Sequence, residues 1–233
     1  MDPTPYFAGR QLTPVPSDAE LRGAFALRYK VYCLECGFLD PQAYAQGLET
    51  DACDSIAAHF GAYNGFHELV GYVRLVPADA QGRLPWEARC KTLLQGTQLP
   101  MRRGSAEISR LMVREDYRRR RGDTLSGVAL PDDEPHELRD RRTSSPQILL
   151  TLYRQMYLYS VAHGQRYWYA AMERSLARSL KRLDFAFRQI GEQADYFGPV
   201  APYLADLREL ESRLALSQPE LLAWMRHPEG AAA

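Results

Sequence analysis

The sequence is poor in lysine and cysteine and has no surplus of either charge. Only Lys30, Lys91 and Lys181 are lysines, so arginine supplies nearly all of the 29 basic residues, which 29 acidic ones balance to a formal net charge of zero. A neutral chain sets up no global field toward nucleic acid or an anionic membrane, so an electrostatic partner has to find a local patch. Long apolar runs are missing too. None reaches the roughly 20 residues that cross a bilayer, and "MDPTPYFAGRQ" has neither the basic start nor the apolar core of a signal peptide. The expected location is the cytoplasm, where thiols stay reduced. Of the four cysteines, Cys33 and Cys36 form a C-x-x-C, but Cys53 and Cys90 stand alone and cannot supply the second pair of a zinc ribbon. The five histidines have no metal-ligand spacing; His59 and His163 read as structural. No Ser-His-Asp arrangement can be assigned, no internal repeat is present, and no metal or redox cofactor is expected.

What is present is 45% hydrophobic and 25% charged residue content, the proportions of a globular protein. Ser17 and Glu20 open a capping box, and Leu21, Phe25, Leu27, Val31 and Tyr32 continue at near-helical spacing, so a helix is predicted to run to Gly37. "IAAHFGAY" and "ELVGYVRLVP" flank an Asn64-Gly65 hairpin signal; "PWEARCKTLLQG" reads as a short helix and "AEISRLMV" as a strand. Residues 122–146 lack any period and read as an inserted loop. Ser145, Pro146 and Gly164 punctuate a long helix. "RYWYAAM" (strand), "ERSLARSLKRL" (helix) and "FAFRQIGE" (strand) follow, with a helical tail from about residue 203 to 233. This order suits one α/β (α+β) domain over residues 1–233, with a mixed central sheet flanked by helices.

The charged residues inside these elements are the informative ones. Arg28 and Tyr32 lie in the first helix, and Gly37-Phe38 ends it. Glu49, Asp51 and Asp54 follow as E-T-D-A-C-D, Arg74 sits in "GYVRLVP", and Glu107, Ser109 and Arg110 sit in "EISRLMV". In this order the set resembles the acyl-homoserine-lactone (autoinducer) synthases, which carry an Arg and an aromatic in the first helix, an E-x-D-x-x-D segment, a G-x-x-R-L-x-P strand and an E-x-S-R strand. Through "LRYKVYCLECGFLD", "EISRLMV" with "YRRRRG", and "RYWYAAMERSL", the chain is also similar to the N-acyl amino acid synthases and PEP-CTERM/exosortase-associated acyltransferases. This resemblance covers most of the chain. It implies a GNAT-like acyltransferase fold and transfer of a fatty acyl group from an acyl carrier protein thioester to an amine. Two positions depart from those patterns. Phe38 stands where autoinducer synthases usually have Trp, and after Arg119-x-x-Gly122 the residue Thr124 replaces the second small residue of a coenzyme A cradle.

Amide formation needs a neutral amine, whereas a free amino group is mostly protonated at pH 7; a partly desolvated carboxylate can take that proton. Glu107 is the candidate base, against a reading as ion-pair partner of Arg74 or Arg110. On a regular strand it shares a face with Ser109, Leu111 and Val113, with Arg110 opposite, unless a bulge intervenes. The resemblance implies an oxyanion-binding backbone N–H near Met112 or Val113. Arg28, Tyr32, Phe38, Asp51, Asp54 and Arg74 are candidates for the acceptor pocket, or the charged ones form a network that only orders the loop. Arg118, Arg119, Arg120, Arg121 and Gly122 are the donor-end candidates, to grip phosphopantetheine phosphate or an acidic carrier surface, rather than nucleic acid. Tyr153, Met156, Tyr157 and Trp168 read as core or as the lining of an acyl tunnel. The alternatives are a homoserine-lactone synthase using S-adenosylmethionine, an acyl-CoA-dependent N-acetyltransferase, or a non-catalytic acyl-binding protein.

Overall fold

The computed structural model describes residues 7–13, 19–118 and 145–227. In chain order they form β1 (Ala8–Leu12), α1 (Ala19–Tyr29), a π-helical turn (Lys30–Glu35), β2 (Ala58–Tyr63), β3 (Leu69–Pro77) and a 3-10 turn (Pro85–Ala88). Then come β4 (Ser105–Val113), α2 (Ser145–Ala162), β5 (Tyr167–Met172), α3 (Arg174–Arg182), β6 (Arg188–Gln189), β7 (Ala194–Asp195), β8 (Pro199–Asp206), α4 (Leu207–Ser217) and α5 (Pro219–Arg226). The mixed sheet has the order β1-β2-β3-β4-β5-β8-β6, with β7 paired to β8 off that path, and helices flank it. This is the expected α/β class. The chain divides into two compact units, residues 1–74 with 110–155 and residues 75–109 with 156–233, so β3 and β4 each contribute to both.

In the first unit β1 pairs antiparallel with β2, from Ala8↔Tyr63 to Leu12↔His59. The loop from β2 to β3 is closed by Asn64, whose Oδ1 accepts from the N–H of Phe66 and Glu68, both at 3.0 Å. Leu12, Leu21, Ala24, Leu27, Val31, Tyr63, Tyr72 and Met112 make the core here. Gly71 is required by packing: a Cβ on it would lie 2.5 Å from Ile148 Cγ2 of α2. Gly37, at φ +64°, takes the left-handed conformation that ends the first helical stretch, as its position in the sequence predicts. The Ser17 cap lies outside the described residues, as does nearly all of the expected 122–146 insert.

In the second unit β4 pairs in parallel with β5 only from Ser105↔Tyr167 to Glu107↔Tyr169, and β5 pairs antiparallel with β8 over its whole length. Leu84, Trp86, Cys90, Tyr169, Ile190, Val200 and Leu204 form its core. Three expectations need correction, and one strand lies where none was predicted. "PWEA" makes a single 3-10 turn rather than a helix, and "FAFRQIGE" contributes only the two-residue β6. The Pro-rich start hides β1. The segment through residues 199–206, read as part of the helical tail or left before it, is β8, and helix begins only at Leu207. Residues 200–205 are all buried, so neither a two-residue nor a 3.6-residue period shows in the sequence. The real start signal is Asp206, whose Oδ1 accepts from Arg208 N at 3.0 Å.

Candidate active site

The loop after the first helix folds back on it. Glu49 N donates to Phe25 O (3.1 Å), and Asp51 and Asp54 cap their own loop: Asp51 N donates to Asp54 Oδ2 at 2.7 Å and Cys53 N to Asp51 Oδ1 at 2.9 Å. This turn presents three carboxylates to three guanidinia, all within the first unit. Arg28, from α1, donates to Glu49 Oε2 (2.5 Å) and Asp54 Oδ1 (2.6 Å). Arg74, from β3, holds Asp51 with two nitrogens, both at 2.7 Å, and also reaches Asp54 Oδ1 at 2.5 Å. Arg110, from β4, grips Glu49 through Nε (3.2 Å) and Nη2 (3.0 Å) and touches Asp51 Oδ2 at 3.0 Å. The cluster is formally neutral, which is what lets it be buried. Rings line it: Arg28 lies over Phe25 (5.2 Å) and Tyr72 (5.8 Å), Arg110 over Tyr32 (4.9 Å), and Tyr32 meets Phe38 edge-on at 5.8 Å. Arg28 and Glu49 side chains are 0% exposed, whereas Asp51 is 30% exposed and is the most open of the three carboxylates to a small molecule.

Burial alone raises a carboxylate, but hydrogen bonds and charge from the guanidinia outweigh it and hold Glu49, Asp51 and Asp54 below their ordinary range. His59 sits behind Asp54, its Nε2 3.0 Å from Asp54 O and its Nδ1 2.7 Å from Tyr72 OH, and burial pushes it down. Below about pH 6.5 the unfolded chain therefore takes up a proton that folded His59 resists, so stability falls as pH drops below that value. A denaturant midpoint lower at pH 5 than at pH 7, with a smaller difference in His59→Gln, is the expected result.

Arg110 breaks the strand. Its φ is +55°, a left-handed conformation that a non-glycine residue inside a strand adopts only when its surroundings hold it there. Its bonds to Glu49 and Asp51 supply that hold. The simple alternation of faces expected for β4 therefore stops at this residue.

Glu107 belongs to the second unit. It is 2% exposed, and its Oε2 accepts from the backbone N–H of Trp86 at 2.7 Å. Burial, then the charge of Glu107, raises the Cys90 thiol. Ser109 is half-buried, and Met112 and Val113 are buried in the part of β4 beyond its pairing with β5.

Of the donor-end residues only Arg118 is among those described. Arg118 is buried and ion-paired with Glu35, and Arg119, Arg120, Arg121 and Gly122 lie outside the described residues. The tunnel candidates are all buried: Tyr153 in the first unit, and in the second Met156, Tyr157, whose hydroxyl donates to Glu211, and Trp168, whose Nε1 donates to Ser160 Oγ at 2.9 Å. A cavity of about 450 Å³ in the second unit is lined by Asp79, Arg102, Ser105 and His163 among others, and by none of the tunnel or acceptor candidates. The cysteines are free thiols, and among the described residues no group of three or more His, Cys, Asp or Glu is placed to hold a metal. The partnership of Trp86 N–H with Glu107 is invisible in sequence, because a backbone donor has no side-chain signature.

Residues 27–127 match the family described as acetyltransferase (GNAT) domain. No curated protein sequence matches the chain. Among solved structures, TofI in a ternary complex with an inhibitor and MTA is 15% identical at a TM-score of 0.63, over 92% of this chain and 99% of its own. BjaI, a CoA-dependent acyl-homoserine lactone synthase solved with SAM and isopentyl-CoA, is 17% identical at 0.62, over 94% and 98%. FeeM, an N-acyl amino acid synthase from uncultured soil microbes, is 18% identical at 0.52, over 92% and 97%. At such identities the likeness to these three is one of fold. The fold of these structures and the match over residues 27–127 agree in likening the chain to GNAT acyltransferases.

Proposed function

We propose that the protein moves a fatty acyl group from the phosphopantetheine thioester of an acyl carrier protein to the amine of an amino acid or a related small molecule, giving an N-acyl amino acid. The observation that carries this reading is Glu107, a carboxylate 2% exposed on β4, oriented by a backbone N–H. In the reaction Glu107 takes a proton from the acceptor ammonium, the neutral amine attacks the thioester carbonyl, and the tetrahedral intermediate collapses with loss of pantetheine thiolate, which takes up the second nitrogen proton to leave amide and free thiol. A backbone N–H near Met112 or Val113 receives the oxyanion. In the first unit Asp51 is the most open carboxylate and the candidate to meet an acceptor's charged group, while Arg28, Arg74 and Arg110 fix the loop that carries it. Tyr153, Met156, Tyr157 and Trp168 supply apolar surface for the acyl chain.

BjaI is CoA-dependent, and this favours a second donor for the same chemistry, an acyl-CoA. Mass spectrometry of lipids from cells producing the protein tests product and acceptor together. An N-acyl amino acid is expected with wild type and not with Glu107→Gln. An acyl-homoserine lactone in its place sinks the acceptor assignment. If the purified protein transfers acyl groups from neither carrier-protein nor CoA thioesters to any amine, the reading as a whole fails.

A further inference from the structure

Glu107 does not hold its orientation by itself. The N–H that meets it belongs to Trp86, the second residue of the four-residue turn Pro85–Ala88. A turn so short has little rigidity of its own. Glu87 ties it down on two sides: Oε2 accepts from Leu84 N at 2.7 Å, closing the start of the turn, and Oε1 accepts from Arg102 Nη2, also at 2.7 Å. Arg102 in turn lies over the Tyr169 ring at 5.2 Å, and Trp86 stacks on that same ring with centroids 5.8 Å apart and planes 12° apart. Tyr169 is the register partner of Glu107 on the neighbouring strand. The contacts thus close a ring from Glu107 through Trp86, Glu87, Arg102 and Tyr169 back to the strand pair that carries Glu107. All of these residues lie in the second unit.

We propose that Glu87, braced by Arg102, is a positioning residue for the reaction: it fixes the turn so that the Trp86 N–H holds the Glu107 carboxylate in its working orientation. The proposal rests on the reading of Glu107 as the base. A partly exposed ion pair contributes little to stability, so the value of the Glu87–Arg102 contact lies in geometry. Small displacements of a catalytic group are costly to rate even where the fold is intact.

The test is a double-mutant cycle on the full chain, reading thiol release from the thioester donor and comparing wild type, Glu87→Ala, Glu107→Gln and the double variant. Glu87→Ala is expected to lower kcat about tenfold with KM for both substrates within about twofold. In the Glu107→Gln background the same change is expected to have no further effect, because the group it positions has already lost its function. Glu87→Gln keeps one accepting oxygen and is expected to fall between wild type and Glu87→Ala. It takes the place of Glu87→Ala in the cycle if the alanine variant does not fold. An equal loss in both backgrounds, or unchanged kcat in a folded Glu87→Ala protein, overturns the proposal. Full activity in Glu107→Gln overturns the base assignment instead, and the inference with it.

Discussion

Glu107→Gln is expected to lower kcat for acyl transfer roughly 10²- to 10⁴-fold, the usual contribution of a positioned general base. The substitution is close to isosteric, and the amide oxygen can still accept from Trp86 N–H, so the strand and the turn above it keep their contact. What is lost is the ability to receive a proton. KM is expected to change little, because the interaction removed belongs to the reacting state more than to the bound substrates. The pH dependence separates this role from a structural one. A base is needed only while the acceptor amine is protonated, so the variant should recover activity as pH rises toward the amine's own pKa of about 8 or above, whereas wild type should gain much less. Steady-state thiol release between pH 6.5 and 9.5 is the measurement. A variant matching wild type at pH 7 means that Glu107 is not the base, and a loss equal at every pH means that its work is not deprotonation.

The legible part of this protein was its order of elements and the spacing of its charges. The long helix that begins at Ser145 could be read because Pro146 in its first turn, Gly164 just past its end and its 3.6-residue period agree. The E-T-D-A-C-D loop could be read because three carboxylates in six residues need cations, and Arg28, Arg74 and Arg110 are the cations the structure brings to them. Three things stayed hidden for physical reasons. β8 is buried from residue 200 to 205, which erases periodicity. The left-handed turn at Arg110 depends on tertiary ion pairs and so leaves no local mark. Arg118 looks like its three arginine neighbours in sequence, and its burial against Glu35 leaves no local mark because Glu35 lies 83 residues away along the chain.

Glu49→Ala is expected to destabilise the first unit by roughly 3–5 kcal/mol, the cost of removing one partner from a buried charge network. Glu49 is 0% exposed and is the only carboxylate of the three held by both Arg28 and Arg110 through hydrogen bonds. Without it two guanidinia lose their shared acceptor inside a desolvated site, and Arg110 loses two of the three hydrogen bonds that hold its left-handed backbone. Against a total stability of about 5–15 kcal/mol this is a large fraction, and it should be read as a lowered denaturant midpoint with an unchanged slope. Asp51→Asn makes the contrast: at 30% exposure the site can take up water, so a smaller stability loss is expected, with the main effect on KM for the acceptor. Acid adds an independent check. The folded-state values of Glu49, Asp51 and Asp54 lie below the unfolded ones, so their contribution is complete above the unfolded pKa near 4 and is lost as pH falls through the folded values. Glu49→Gln should therefore flatten the fall in stability below about pH 4 while lowering the plateau above it. Equal acid sensitivity in wild type and variant, or a loss of under about 1 kcal/mol in Glu49→Ala, is incompatible with a network that holds the loop through paired charge.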